Sequence, residues 1–293
     1  MFTHRLCAIY CYMSGGKMLK TIWDKYAEVL VDYSTNVQKG DLVQIRAASI
    51  YAKDLVKAVY KRVIQKGAHP ILRTSFEDMS DIFIKYASDE QLDYIDPIIK
   101  LEYETVDKFI SIGAPMNTKN MARADLNKLS RRSKASQGLS KTLMERSAKG
   151  EASWVVADVP THALAQEAKM SFDEYSEFLF NSCYLNLDNP VAKLRELDEK
   201  QTKLANYLNN VKKIRIVGKK TDITFGVEGR KWISCSGINN YPDGEIFTSP
   251  VENDVNGEIY FDFPQNYRGN SATGVHLWIE NGQIVKFDAD TGK

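Results

Sequence analysis

The chain has 293 residues, with 39 basic against 38 acidic side chains and a net charge of +1 at pH 7. So even a balance gives no overall field to draw nucleic acid or an anionic membrane, and 43% hydrophobic with 26% charged residues excludes a disordered chain. The length favours two domains over one core, and no apolar run approaches a bilayer-spanning helix.

Residues 1–17, MFTHRLCAIYCYMSGGK, stand apart. A basic start, a short apolar run and small residues outline a weak signal peptide. The preferred reading starts translation at Met18, because Gly15-Gly16-Lys17 is what a ribosome-binding site read as protein would encode. Helical spacing at Ile22, Tyr26 and Leu30 also begins just after it. Residues 1–17 are thus an extension outside the expected fold. The four cysteines, Cys7, Cys11, Cys183 and Cys235, form no CxxC pair, so reduced thiols and a cytoplasmic location are expected.

From Met18 to Ser34 the apolar residues follow a helical period. Leu42–Ile45 reads as a strand, Leu55–Ile64 as a helical face ended by Gly67, and His69–Leu72 as the next strand. This strand–helix–strand unit predicts a parallel sheet with a right-handed crossover. Short helices over Asp78–Ala87 and Asp89–Tyr94 follow, then a buried-type strand over Lys108–Gly113, a long polar helix over Thr118–Lys149, and a strand over Ser153–Ala157. Thr161–Leu187 is helical, with Ser171 and Glu174 spaced as a capping box, and Pro190–Asn210 is a charged amphipathic helix.

Near Lys212 the helical period gives way to short strands between Gly, Asn and Asp turns. The strongest hairpin is Trp278–Val285, whose Asn281-Gly282 pair suits a type I′ turn. The expected fold class is therefore α/β: an open, mostly parallel α/β domain over 18–212, then a β-rich partial catalytic domain over 213–293.

The second part holds the candidate chemistry. Tyr241-Pro242-Asp243-Gly244 has type I turn composition, and Glu245 follows it at the head of a strand over Ile246–Thr248. By position alone such a carboxylate suits a solvated surface acid better than a metal ligand. The histidines His4, His69, His162 and His276 are widely separated, and there is neither HExxH nor a paired-Cys zinc motif. No phosphate-binding glycine loop and no GxSxG elbow is present. Residues 117–150 carry nine Lys or Arg against two Asp or Glu, which reads as a solvated helix face in preference to a nucleic-acid patch.

TDITFGVEGRKW, then NNYPDGEIFTSPVE, then GEIYFDFP resembles, in order, the thermophilic metalloaminopeptidases of peptidase family M29. The resemblance runs from about Met18 to the last residue and implies an exopeptidase with two divalent metal ions (Zn, Co, Mg or Mn), acting on unblocked peptides. It implies that Glu245 is the first metal ligand, with a second Glu, histidines or a Tyr, and an Asp further C-terminal than Lys293. Arg230, in EGRKW, is expected to brace the Glu245 loop or to lie on the surface beside a half-buried Trp232. Asp243 and Glu252, close to it in sequence, are candidates to support the ligands by hydrogen bonding but are better read as solvated turn positions.

Family analogy implies a homodimer, and the ligands beyond Lys293 imply a missing C-terminal half. On this reading the isolated chain does not hydrolyse aminoacyl substrates at a family-like rate, and Trp278 and Phe287 lack packing partners. The alternatives are a non-catalytic remnant or interaction module without a metal site and, more weakly, a nucleic-acid binder using residues 117–150.

Overall fold

The computed structural model describes residues 20–267 and 270–292; the expectations for residues 1–17, with His4, Cys7 and Cys11, lie outside them. Thr21 and Asp24 form a capping box that opens α1 (Ile22–Glu28), which widens into a π-helix over Val29–Ser34. Then come β1 (Leu42–Ala47), α2 (Lys53–Gln65) and β2 (His69–Thr74), the predicted strand–helix–strand unit, with Gly67 at φ +73° after the helix. Next are α3 (Met79–Tyr86), α4 (Asp89–Asp93), α5 (Pro97–Thr105), β3 (Lys108–Gly113) and α6 (Leu126–Ala148). The first part closes with β4 (Ser153–Asp158), α7 (His162–Glu167), α8 (Phe172–Ser182) and α9 (Pro190–Leu208). The Ser171–Glu174 capping box forms as its spacing predicts, with both backbone N–H groups donating to the partner side chain.

The remaining strands are β5 (Lys213–Gly218), β6 (Thr221–Gly226), β7 (Ile233–Cys235), β8 (Asn240–Tyr241), β9 (Glu245–Phe247), β10 (Val255–Phe261), β11 (Gln265–Tyr267), β12 (Asn270–Ala272), β13 (Val275–Glu280) and β14 (Gln283–Asp288). The first sheet is parallel, in the order β2-β1-β3-β4-β8. One face packs against α1, α2 and the π-helix, where Val43, Ile45, Ile110 and Val155 are fully buried, and on the other Phe109 is buried beside Leu143 of α6. The second sheet is antiparallel, in the order β14-β13-β10-β6-β5. The structure is thus an α/β layer followed by a β-rich unit. Strand β8, though it follows β5–β7 in sequence, returns to the first sheet beside β4.

Asn281 and Gly282 both have positive φ, +49° and +78°, as the Asn-Gly hairpin requires. On that hairpin Phe287 is 65% exposed, whereas Trp278 stacks on His276 at 3.8 Å and receives Lys286 Nζ at 4.2 Å from its ring centroid.

The basic segment finds its use inside the fold. Helix α6 buries no residue, and Lys128, Arg132 and Arg146 lie on one face of it, four and eighteen residues apart along the 3.6-residue period. Each closes the C-terminus of a different helix. Lys128 Nζ donates to Lys85 O and Ala87 O at the end of α3, and Arg132 Nη1 to Leu92 O and Tyr94 O at the end of α4. Arg146 Nη1 donates to Tyr103 O and Val106 O, at 3.0 and 2.7 Å, at the end of α5. Carbonyls that a helix leaves unpaired thus meet cations where its dipole is negative. Arg146→Ala is expected to destabilise the protein by about 2–3 kcal/mol, since its guanidinium serves carbonyls around the buried Val106. A urea midpoint unchanged from the parent would refute the assignment.

Candidate metal centre

Strands β7 and β9 pair antiparallel, with Cys235 directly opposite Glu245. The nine residues between them make an excursion to the first sheet and back. Val156 N donates to Asn239 O at 2.8 Å, Asn239 Nδ2 to Trp154 O at 3.1 Å, and Ser34 Oγ to Gly237 O at 2.6 Å. Tyr241 is 2% exposed, sets its ring edge-on to Tyr26 at 5.3 Å and donates its hydroxyl to Cys183 O. The expected type I turn over Tyr241–Gly244 is not closed by a backbone hydrogen bond, since Gly244 N donates to the Asp243 side chain, and the Tyr241–Pro242 bond is cis.

Helix α9 supports the other side of the ribbon. Gln201 Nε2 donates to Glu245 O at 3.1 Å, and Ser234 Oγ to Gln201 Oε1 at 3.2 Å. Asp198 Oδ1 accepts from Ser234 Oγ at 3.1 Å and from Ser236 Oγ at 2.9 Å; Tyr33 OH in turn donates to Ser236 Oγ at 3.0 Å. The backbone at Glu245 is therefore fixed, while its exposed carboxylate makes no hydrogen bond or ion pair among the described residues.

Around that carboxylate, Cys235 Sγ and a carboxylate oxygen each of Asp243 and Glu245 lie within 4.8 Å of one another. Cys235 and Asp243 are half-buried. Burial first, then the negative charges of Asp243 and Glu245, push the Cys235 thiol up. One oxygen of Asp243 accepts from Gly244 N at 2.8 Å. No Lys, Arg or His among the described residues pairs with any of the three donors.

The other candidates fall elsewhere. Arg230 pairs with Glu252, not with the Glu245 loop. His69 begins β2, and His162 begins α7 with its ring 4.6 Å from that of Phe172. His276 sits on β13 with Nε2 3.0 Å from Glu258 Oε2. Sequence reasoning missed Cys235.

A divalent ion is the group the resemblance implies, and the donors here are one sulfur and two carboxylates. That fits one borderline ion with a position left open, the pattern of catalytic zinc, which takes three protein ligands and a water. It does not fit two ions, each of which takes about four to six ligands. Among the described residues no other group of three His, Cys, Asp or Glu side chains converges in this way.

Comparison with known proteins gives the fold and the family. The chain is 29% identical over 296 residues to Aminopeptidase 2 of Geobacillus stearothermophilus, a match covering 92% of this chain and 70% of that protein. It is 25% identical over 291 residues to Aminopeptidase AmpS of Bacillus subtilis, with the same coverage. Among solved structures, wild-type AmpT from Thermus thermophilus superposes with a TM-score of 0.77 at 20% identity, covering 92% of this chain and 72% of that one, which shows a shared fold. A family model described as thermophilic metalloprotease (M29) matches residues 19–293. The chain belongs to the thermophilic metalloprotease family M29.

Proposed function

We propose that this protein is a metal-dependent aminopeptidase that releases N-terminal residues from unblocked peptides, with Glu245 as a metal ligand. The observation that carries the reading is the convergence of Glu245 with Cys235 and Asp243, unpaired by any cation among the described residues, on a ribbon held from both sides. A divalent ion held there supplies Lewis acidity toward the scissile carbonyl and the attacking water. Gln201 fixes the backbone from which the Glu245 carboxylate would hold such an ion. The carboxylates of Asp243 and Glu245 also attract the ammonium of a free peptide N-terminus, which a blocked peptide lacks.

Three donors hold one ion, so a two-ion centre needs donors from outside the described residues. A second copy of the chain, or a polypeptide resembling the part of the relatives beyond the match, is the partner to seek. A cytoplasmic location is supported by Cys183 and Cys235, both free thiols, and no helix among the described residues is long and apolar enough to cross a membrane. A domain boundary near Lys212 is supported by the gap between the end of α9 at Leu208 and the start of β5 at Lys213.

The test is hydrolysis of aminoacyl anilides, unblocked and N-acetylated, with Zn²⁺, Co²⁺, Mg²⁺ or Mn²⁺ supplied, by the chain alone and with such a partner. Turnover confined to the unblocked substrate and abolished by a chelator is expected. Chelator-resistant turnover, or none in either preparation, would favour a module without a metal site.

A further inference from the structure

We propose that the crevice at the carboxyl ends of β1, β2 and β3 is a peptide subsite, which takes an apolar side chain at the fourth residue of a peptide whose amino end lies at Asp243 and Glu245. The proposal rests on the reading of those two carboxylates as the place of the peptide amino group, and adds an extended substrate and the residues that select it.

Topology places the crevice. In the order β2-β1-β3-β4-β8 the chain leaves β1 for β2 on one side, while β3 lies on the other, so the loops after β1 and β3 part. Open parallel sheets bind ligands outside their carboxyl ends at such a switch point. A cavity of about 350 Å³ stands there, between Ser49 after β1, Phe76 and Met79 after β2, and Pro115 and Met116 after β3. Small-molecule sites run from about 300 to 1,000 Å³. The walls are tied in place. Ser49 Oγ and Ile50 N donate to Glu77 Oε1 at 2.8 and 3.2 Å, joining the loops after β1 and β2. Val159 N donates to Gly113 O at 2.9 Å, joining the ends of β4 and β3.

The lining names the ligand. Phe76, Met79 and Met116 are 76%, 45% and 51% exposed, so three large apolar side chains are left for a ligand to cover. Methionine adapts to partners of different shape. Ser80 and Asn120, also in the lining, make no hydrogen bond among the described residues and offer donors and acceptors to a peptide main chain. No Lys, Arg or His lines the cavity, whereas Glu77 and Asp78 do. Those charges repel a phosphate or a C-terminal carboxylate and favour an internal residue of the peptide.

The sheet edge supplies the spacing. Strand β8 runs parallel to β4 with Tyr241 opposite Ala157, so Asp243 follows from the same edge that bears the cavity. Between the two, Asp158 lies opposite Gly113 and its carboxylate stands over it: a Cβ on Gly113 would meet Asp158 Oδ1 at 1.9 Å. That carboxylate makes no hydrogen bond among the described residues and is placed to accept from a peptide N–H. From β8 to the gap between β3 and β1 is two and a half strand spacings, about 12 Å. An extended peptide advances about 3.3–3.6 Å per residue, so three steps from an amino end at Glu245 bring its fourth residue to the cavity.

The experiment uses the full chain, with and without Zn²⁺, and hexapeptide amides whose first peptide bond is N-methylated against cleavage. Photoreactive benzoylphenylalanine at position one or position four is crosslinked and mapped by mass spectrometry. Expected is labelling within residues 76–80 or 114–120 from position four, and within residues 243–247 from position one. Phe at position four should bind at least about tenfold tighter than Ser there. Phe76→Ser/Met116→Ser should abolish that preference, with circular dichroism and the affinity of the Ser peptide unchanged. If position one labels the ribbon and position four labels elsewhere, the amino-end reading stands and the subsite is overturned. If position four labels the cavity and position one labels away from the ribbon, the amino-end reading fails and the four-residue spacing with it. No labelling from either position, or a preference that survives the double variant, overturns the subsite as well.

Discussion

Alanine at Glu245 is expected to lower metal-dependent aminopeptidase turnover by at least about a hundredfold, the loss of some 2.7 kcal/mol of transition-state stabilisation. The melting temperature of the metal-free protein should move by no more than about 2 °C. The two halves of this result follow from different atoms of one residue. The carboxylate is exposed and makes no hydrogen bond or ion pair among the described residues, so its removal leaves no buried partner unpaired. The carbonyl oxygen accepts from Gln201, and an alanine backbone keeps that bond. A loss of activity accompanied by a large fall in melting temperature would mark Glu245 as structural. Unchanged turnover with unchanged metal affinity would remove it from the centre altogether. Glu245→Gln, which keeps one neutral oxygen donor, should fall between parent and alanine.

Why the sequence revealed some elements and hid others is a matter of how local each determinant is. Strand β3 reads off Lys108–Gly113 because a strand buried on both faces is a short apolar run, and the Asn281-Gly282 turn reads off two residues that tolerate positive φ. Helix α5 is absent from the pattern reading because its apolar residues are partly exposed and give a weak period. Its start was nevertheless written in Asp96-Pro97, where the Asp96 side chain accepts from Ile98 N and proline takes the first turn. The charges on α6 looked like a solvated face. Their targets are carbonyls of three helices up to 43 residues away in sequence, which no local window contains.

The metal centre divides in the same way. Glu245 was legible because a long ordered resemblance pointed to it, whereas position alone favoured a surface acid. Cys235 was not legible, because its approach to Glu245 depends on the excursion of the chain to β4 and back. That excursion is fixed by Tyr241 entering the first core and by Asn239 bonding across to Trp154. Of the two readings open for Arg230, bracing the Glu245 loop or lying on the surface, the structure shows an ion pair with Glu252, 22 residues on, a partner no local pattern names.

Gly257→Ala is expected to disrupt the second sheet at a cost of about 3–5 kcal/mol, large against the usual stability of a domain. Gly257 lies in β10, between Ile279 of β13 and Ile223 of β6. Its φ is +123°, a conformation that side chains of L-residues rarely adopt, which alone costs about 1–3 kcal/mol. A Cβ built there stands 2.1 Å from Asp222 O and 2.9 Å from Ile223 Cα. Both are backbone atoms of the adjoining strand, so no side-chain rotation relieves the contact, and β6 must move away from β10. Hydrogen exchange should show lost protection at Ile223 and Ile279, while Ile45 and Ile110 in the first sheet keep theirs. Gly138→Ala provides the opposite sign: it lies in α6 with open space around the added methyl and should stabilise the protein by about 1 kcal/mol. Metal binding should survive Gly257→Ala, because Cys235 and Glu245 are held by α9 and by the β8 excursion into the first sheet. If metal affinity and sheet protection fell together, the centre would depend on the second sheet, and the support assigned here to Gln201, Asp198 and Tyr241 would be insufficient.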